Sequence, residues 1–196
     1  MDVQKAMSFT ICNCSLPRIS VKHTSERGFT GNELLVLLAV VMVIVGLAVP
    51  GILRVRAQAR NQAFAVKLLR TIAASQIAYS KSCGSGGYAV DFTALRRLAP
   101  NSERGFIPFK LSQAGSLRRS GYDFTLDAGA GAAVGPLDCH GKPTQTTYLA
   151  TAQPATFGIA GTGNRSFAIT DKRIIWQTRS AAAPDEPFAE PAVPLQ

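Results

Sequence analysis

Few side chains in this sequence have types and spacings that suit chemistry. The first is Glu33, a lone carboxylate heading an apolar run: from Leu34 to Leu53 there are twenty residues without a charged side chain. An ionisable group at the lip of such a run is costly to desolvate and is a functional candidate by default. The second is Cys83 with Cys139 and its neighbour His140. These are zinc-binding types, but two cysteines and one histidine are too few to close a zinc site. The third is Asp123, Asp127 and Asp138, oxygen donors of the kind calcium takes. They are scattered over strand and loop sequence, where solvated carboxylates are the plainer reading. Neither a metal site nor a cofactor is expected. P-loop, GxSxG, HExxH and EF-hand patterns are absent, and the glycines of 129–135 sit among alanines in no phosphate-binding register. The sequence does not read as an enzyme.

The element that positions Glu33 is a helix. The run matches the ~20 apolar residues a helix needs to cross a bilayer core. A general secretory signal has a shorter apolar region of ~7–15 residues and is cut beyond it at a small-x-small site. Ala57-Gln58-Ala59 nominally offers such a site, but it lies behind Arg54 and Arg56. A plain signal anchor is one reading, with Thr30 and Glu33 as a capping box at the helix start.

The flanking residues support another. Arg27-Gly28-Phe29-Thr30, followed by Glu33 and the long apolar helix, resembles the class III signal of type IV prepilins and type II secretion pseudopilins. Gly31 and Asn32 depart from the family pattern, which usually has bulky apolar residues there. The resemblance implies that a membrane prepilin peptidase/methyltransferase cuts between Gly28 and Phe29 and methylates the new N-terminal Phe29. It also implies that Glu33 of one subunit meets the α-ammonium of Phe29 on a neighbour, which gives filament assembly its register. The other implied partners are further pilin or pseudopilin subunits and an inner-membrane assembly platform with its ATPase.

On this reading residues 1–28 are a leader, with Met1 or Met7 as the start. Residues 29–53 are the transmembrane and assembly half of a helix, and 54–82 its amphipathic half. Residues 83–179 are a globular α+β head, and 180–196 a Pro/Ala-rich disordered tail. Basic residues flank both ends of the run, Lys22 and Arg27 before it and Arg54, Arg56 and Arg60 after it, so the positive-inside rule does not decide orientation. The resemblance implies an inner-membrane protein with its leader cytoplasmic and its head periplasmic, later part of a filament in the periplasm or at the cell surface. Cys12 and Cys14 then leave with the leader. The remaining pair, Cys83 and Cys139, reads as one disulfide of an exported domain, worth about 3–4 kcal/mol by loop closure.

Net charge is +9, of which the leader carries +2. A basic exterior can attract nucleic acid or anionic surfaces, but no nucleic-acid motif accompanies it. A solubilising surface is the simpler account.

The rest of the chain predicts a pilin-like α+β fold: a long, kinked N-terminal helix packed on a small antiparallel meander of about four strands. The helix should run from about Thr30 to Ser82, some 75–80 Å at ~1.5 Å per residue. Gly46 and Pro50 mark the kink, because proline lacks the amide donor and presses on the carbonyl four residues back. Beyond Arg54, Phe64, Leu68 and Ile72 form one i, i+4 row and Leu69, Ala73 and Ile77 the next. Cys83-Gly84-Ser85-Gly86-Gly87 ends the helix, and Asp91–Leu98 reads as a short helical turn. Gly87-Tyr88 followed by that turn again resembles pilin-like heads. Residues 101–120 read as irregular, with Phe106, Ile107 and Phe109 in the core. Period-two patterning places strands over 121–127, 147–152, 166–170 and 173–177, the last two joined at Asp171-Lys172. Residues 128–136 read as loop, and Trp176 as a core or sheet-edge anchor. The function implied is a structural subunit of a type IV pilus or pilus-like filament. The alternatives are a type II secretion pseudopilin and, from another class, a membrane-anchored periplasmic binding module that does not polymerise.

Overall fold

A computed structural model describes residues 30–98, 102–107 and 117–195. The expected leader (residues 1–28), the expected cleavage site Gly28–Phe29 and Phe109 lie outside the described residues. The chain divides into two compact units between Ile44 and Val45.

Helix α1 (Gly31–Ser82) contributes to both units and matches the expected span. Gly46 and Pro50 both lie within it. Its stop is chemical. The amides of Cys83 and Gly84 both donate to the Tyr79 carbonyl, at 2.9 and 2.7 Å, and Ser85 and Gly86 then take positive φ values of 50° and 93°. That left-handed step ends helices and is least costly at glycine.

The second unit is an α+β head. Among the described residues, α1 is followed by α2 (Phe92–Arg96) and eight strands: β1 (Leu117–Arg119), β2 (Tyr122–Ala128), β3 (Val134–Leu137), β4 (Pro143–Gln145), β5 (Tyr148–Pro154), β6 (Ser166–Thr170), β7 (Ile175–Thr178) and β8 (Val193–Pro194). Asp91 caps α2 by accepting from the Ala94 amide at 2.7 Å. The main sheet is antiparallel, ordered β1-β2-β5-β6-β7-β8, and β3 and β4 form a separate ribbon. The four expected strands are thus the four central ones, in the expected order. The strand count is larger than four because four regions without clear alternation, β1, β3, β4 and β8, also pair. Leu117–Arg119 joins β2 through a two-residue Ser120-Gly121 turn with φ of 48° and 71°, the left-handed pair favoured in tight hairpins. Val134–Leu137 forms strand where loop was expected, and Val193–Pro194 pairs with β7.

Register explains the core. Across β2, β5 and β6, Phe124 faces Ala152, which faces Phe167, while Leu126 faces Ala150, which faces Ile169. These residues and Ile175 lie in one buried cluster with Leu68, Leu69, Ile72 and Ala73 of α1, so the helix stripe and the apolar sheet face cover each other. Phe64 packs against that cluster only partly buried, and Ile77 is intermediate. Phe106 and Ile107 join it as expected. A polar residue within the stripe has its own task. Gln76 is fully buried and binds the Ala89 backbone twice, accepting from its amide at 2.8 Å and donating to its carbonyl at 3.0 Å.

The C-terminal segment corrects the sequence reading. Of the residues expected to form a disordered tail, Val193–Pro194 is β8 of the sheet, and the segment before it lies on the sheet's other face. Ser166 donates to the Ser180 and Ala181 carbonyls at 2.6 and 3.0 Å, Trp176 stacks on Phe188 with centroids 4.9 Å apart, and Ala183 and Ala192 are buried. Small residues at the outer sheet positions, such as the fully buried Ala168, let the segment approach. Removing residues 181–196 is expected to cost on the order of 2–4 kcal/mol through lost apolar burial and the lost aromatic pair. It should also shift Trp176 emission to the red. Denaturant unfolding followed by tryptophan fluorescence measures both.

Candidate functional site

The group with the strongest sequence signal is the first turn of α1. Thr30 and Glu33 form a reciprocal capping box, with the Thr30 amide 3.5 Å from Glu33 Oε2 and the Glu33 amide 3.4 Å from Thr30 Oγ1. These contacts are near the outer limit for hydrogen bonds, so the cap holds the carboxylate loosely. Glu33 is exposed.

Beyond Glu33 the large apolar residues from Leu34 to Val45 are 48–66% exposed on every side of the helix. Ile52, Leu53 and Val55 are likewise exposed. A helix apolar all round belongs inside a protein or inside a membrane, and within the described residues the chain does not cover this one. Each such side chain forgoes about 1.5–3 kcal/mol while exposed to water. Together they outweigh the 5–15 kcal/mol typical of a whole domain's stability. The α1 helix is long and apolar enough to cross a membrane.

The second group lies at the other end of α1. Cys83 and Cys139 form a disulfide, with Cα atoms 4.8 Å apart and a sequence separation of 56. The Cys139 amide also donates to the Cys83 carbonyl at 2.8 Å. The ligand-type atoms of Cys83, Cys139 and His140 lie within 4.8 Å of one another. With the two sulfurs bonded to each other, this trio lacks the thiolates a metal would need.

Asp138, next to the disulfide, is not the solvated carboxylate expected. Its side chain is fully buried and accepts from the Tyr79 hydroxyl at 2.7 Å and the backbone amides of His140 and Lys142 at 2.9 and 2.7 Å. Arg97 Nη1 stands 3.6 Å away. Burial alone would raise its pKa. The Lys142 amide, the Tyr79 hydroxyl and the His140 amide outweigh burial and hold it below the usual carboxylate value. The Tyr79 hydroxyl is pushed up in turn, first by burial and then by donating to Asp138. Asp123 instead pairs with Arg118 on the neighbouring strand. Asp123 and Asp127 lie four residues apart on β2, about 13 Å at ~3.3 Å per residue. The three aspartates therefore do not form one cation site.

Pattern reasoning missed three polar residues on α1 and the Asp138 knot. Gln58 Nε2 lies 2.8–2.9 Å from the carbonyls of Gly158, Ile159 and Gly161, and Asn61 donates to the Thr162 carbonyl at 2.9 Å. Gln58 and Gln76 are buried. Their sequence signal is an amide side chain on the helix face that otherwise carries the apolar stripe.

No family model matches the chain, and neither a curated protein nor a solved structure matches it.

The Asp138 knot gives a signed pH dependence. Because its folded pKa is depressed, its contribution is fully present above the unfolded value near ~3.9 and is lost as pH falls through the folded value. Asp138→Asn is expected to cost about 1–3 kcal/mol at pH 7. The gap from wild type should narrow as pH falls below ~4. Urea unfolding of both proteins across that range measures it. Joint replacement Cys83→Ser and Cys139→Ser is expected to lower stability by about 3–4 kcal/mol, and thiol titration of the unfolded, leaderless wild type should find no free sulfhydryl.

Proposed function

We propose that this chain is a prepilin-like structural subunit, inserted in a membrane by the first half of α1 and polymerised through that helix. The observation that carries the reading is the charge-free run from Leu34 to Leu53 with one carboxylate at its head, whose large apolar side chains from Leu34 to Val45 and at Ile52 and Leu53 are exposed. Two environments satisfy such a rod: lipid before assembly, and a bundle of identical rods afterwards.

The chemistry of the switch follows from Glu33. Cutting between Gly28 and Phe29 creates an α-ammonium on Phe29, charged at neutral pH. Glu33 of one copy faces that ammonium on the next as both leave the headgroup region. An unpartnered charge in hydrocarbon is expensive, so the pair fixes the axial register of neighbouring copies. The contact is heterologous and does not close on itself, which is the condition for an open helical fibre. The α+β heads form the outer shell, and the disulfide and Asp138 knot hold the end of α1 to the head. Nucleotide-driven assembly belongs to partner proteins.

The same geometry serves a pseudopilin of a type II secretion system. The capping box favours a second reading, because it gives Glu33 a local task in a single chain. That reading is a membrane-anchored module that never polymerises.

Glu33→Ala separates them. In a polymerising subunit, insertion and folding are unchanged and fibre yield, scored by electron microscopy and shear fractionation, falls at least tenfold, the equivalent of about 1.4 kcal/mol per contact. Normal fibres from Glu33→Ala would remove the role assigned to this residue.

A further inference from the structure

The loop between β5 and β6 is built in an unusual way. It is fastened at every turn, yet it displays apolar side chains to solvent. Gln58 gathers the Gly158, Ile159 and Gly161 carbonyls, Asn61 binds the Thr162 carbonyl, and Gln62 Nε2 donates to Asn164 Oδ1 at 2.7 Å. Within the loop, the Thr162 amide donates to the Thr156 carbonyl at 2.7 Å, and Thr162 Oγ1 donates to the Gly121 carbonyl at 2.6 Å. At the apex Ile159 is 90% exposed, the most exposed large apolar side chain among the described residues, and Phe157 is 42% exposed. A loop fixed this firmly holds Ile159 in one place.

That place is defined along α1. Gln58 follows Leu53, the last residue of the charge-free run, by five positions, a rise of about 7.5 Å. Arg54 is four residues before Gln58 and so lies on the same helix face, one turn nearer the apolar stretch. Arg54, Arg56 and Arg60 are all exposed, and α1 has no acidic residue after Glu33. The turn of β1 and β2, bound to the loop through Gly121, adds the exposed Arg119, while the nearby Asp123 is engaged by Arg118. This end of the head therefore shows a fixed apolar apex, and the α1 turn and β1–β2 hairpin that bind its loop carry exposed arginines.

We infer that the 156–163 loop is a membrane foot. Ile159 and Phe157 enter the headgroup and upper acyl region of an anionic bilayer, and the arginines pair with lipid phosphates. The inference rests on the anchoring part of the proposed function, not on polymerisation. Two observations select a lipid surface as the occupant: covalent continuity with the apolar segment, and the basic, acid-poor surround. Apolar side chains ringed by Lys or Arg suit that interface, and juxtamembrane basic residues are drawn to anionic lipid. The foot would hold the unassembled head down on the membrane and release it when the helix is drawn out.

The test places an indole at the apex. Full-length Ile159→Trp and wild type, whose only tryptophan is Trp176, are reconstituted in phosphatidylcholine/phosphatidylglycerol vesicles carrying lipids brominated near the top of the acyl chain. The emission added by the substitution should be blue-shifted and lose most of its intensity to the brominated lipid. The quenching should persist when protein is diluted against lipid, and weaken when Arg54, Arg56 and Arg60 are replaced by Gln. Added emission that stays red and unquenched in vesicles that float with the protein overturns the foot and leaves the anchor intact. A blue shift seen only at high protein-to-lipid ratio also overturns it, and assigns the apex to a second copy of the chain. Protein that does not float with the vesicles overturns both the foot and the anchor.

Discussion

A helix that is apolar all round cannot be left in water, and everything else in this molecule answers that constraint. The stretch from Leu34 to Val45, with Ile52 and Leu53 beyond it, carries a larger unfavourable exposure than a domain's net stability can offset. Something outside the described chain must cover it. The remainder of α1 solves the same problem internally. There the apolar residues narrow to a stripe, and the sheet covers the stripe. One helix thus carries two kinds of surface in sequence, and the change falls near Arg54 and Arg56, where charge first appears after Glu33.

The head holds its end of the helix by two different means. Along the stripe the contact is apolar and continuous with the sheet core. At the ends it is polar and specific. Gln58 and Asn61 bind the β5–β6 loop near the apolar segment, and Tyr79, Asp138 and the disulfide tie the far end. A helix subject to axial pulling benefits from such ties, because apolar packing alone permits sliding by a turn.

Much of this was legible in the residues. The limits of α1 followed from the charge-free run and the glycines after Cys83, and the four central strands followed from period two. Other features were hidden for physical reasons. Val134-Gly135-Pro136-Leu137 pairs although three of its four residues are exposed, so no alternation betrays it. The C-terminal segment has the composition of a disordered tail, yet Phe188 and small alanines suffice to seat it on an outer sheet face that is itself small. Asp138 was indistinguishable from a surface acid because the side chain that binds it, Tyr79, lies 59 residues away. For the first turn of α1, the residue types point to a role, while its geometry is that of a loose cap. The cleavage site lies outside the described residues.

Polymerisation as proposed depends on Phe29 gaining a free, charged amine opposite Glu33. Intact-mass and N-terminal peptide mass spectrometry of the protein from cells with an active processing peptidase tests this directly. A mature chain beginning at N-methylated Phe29 is the predicted result. A chain that keeps its first 28 residues under those conditions would contradict it and leave a tethered head with no means of forming a fibre.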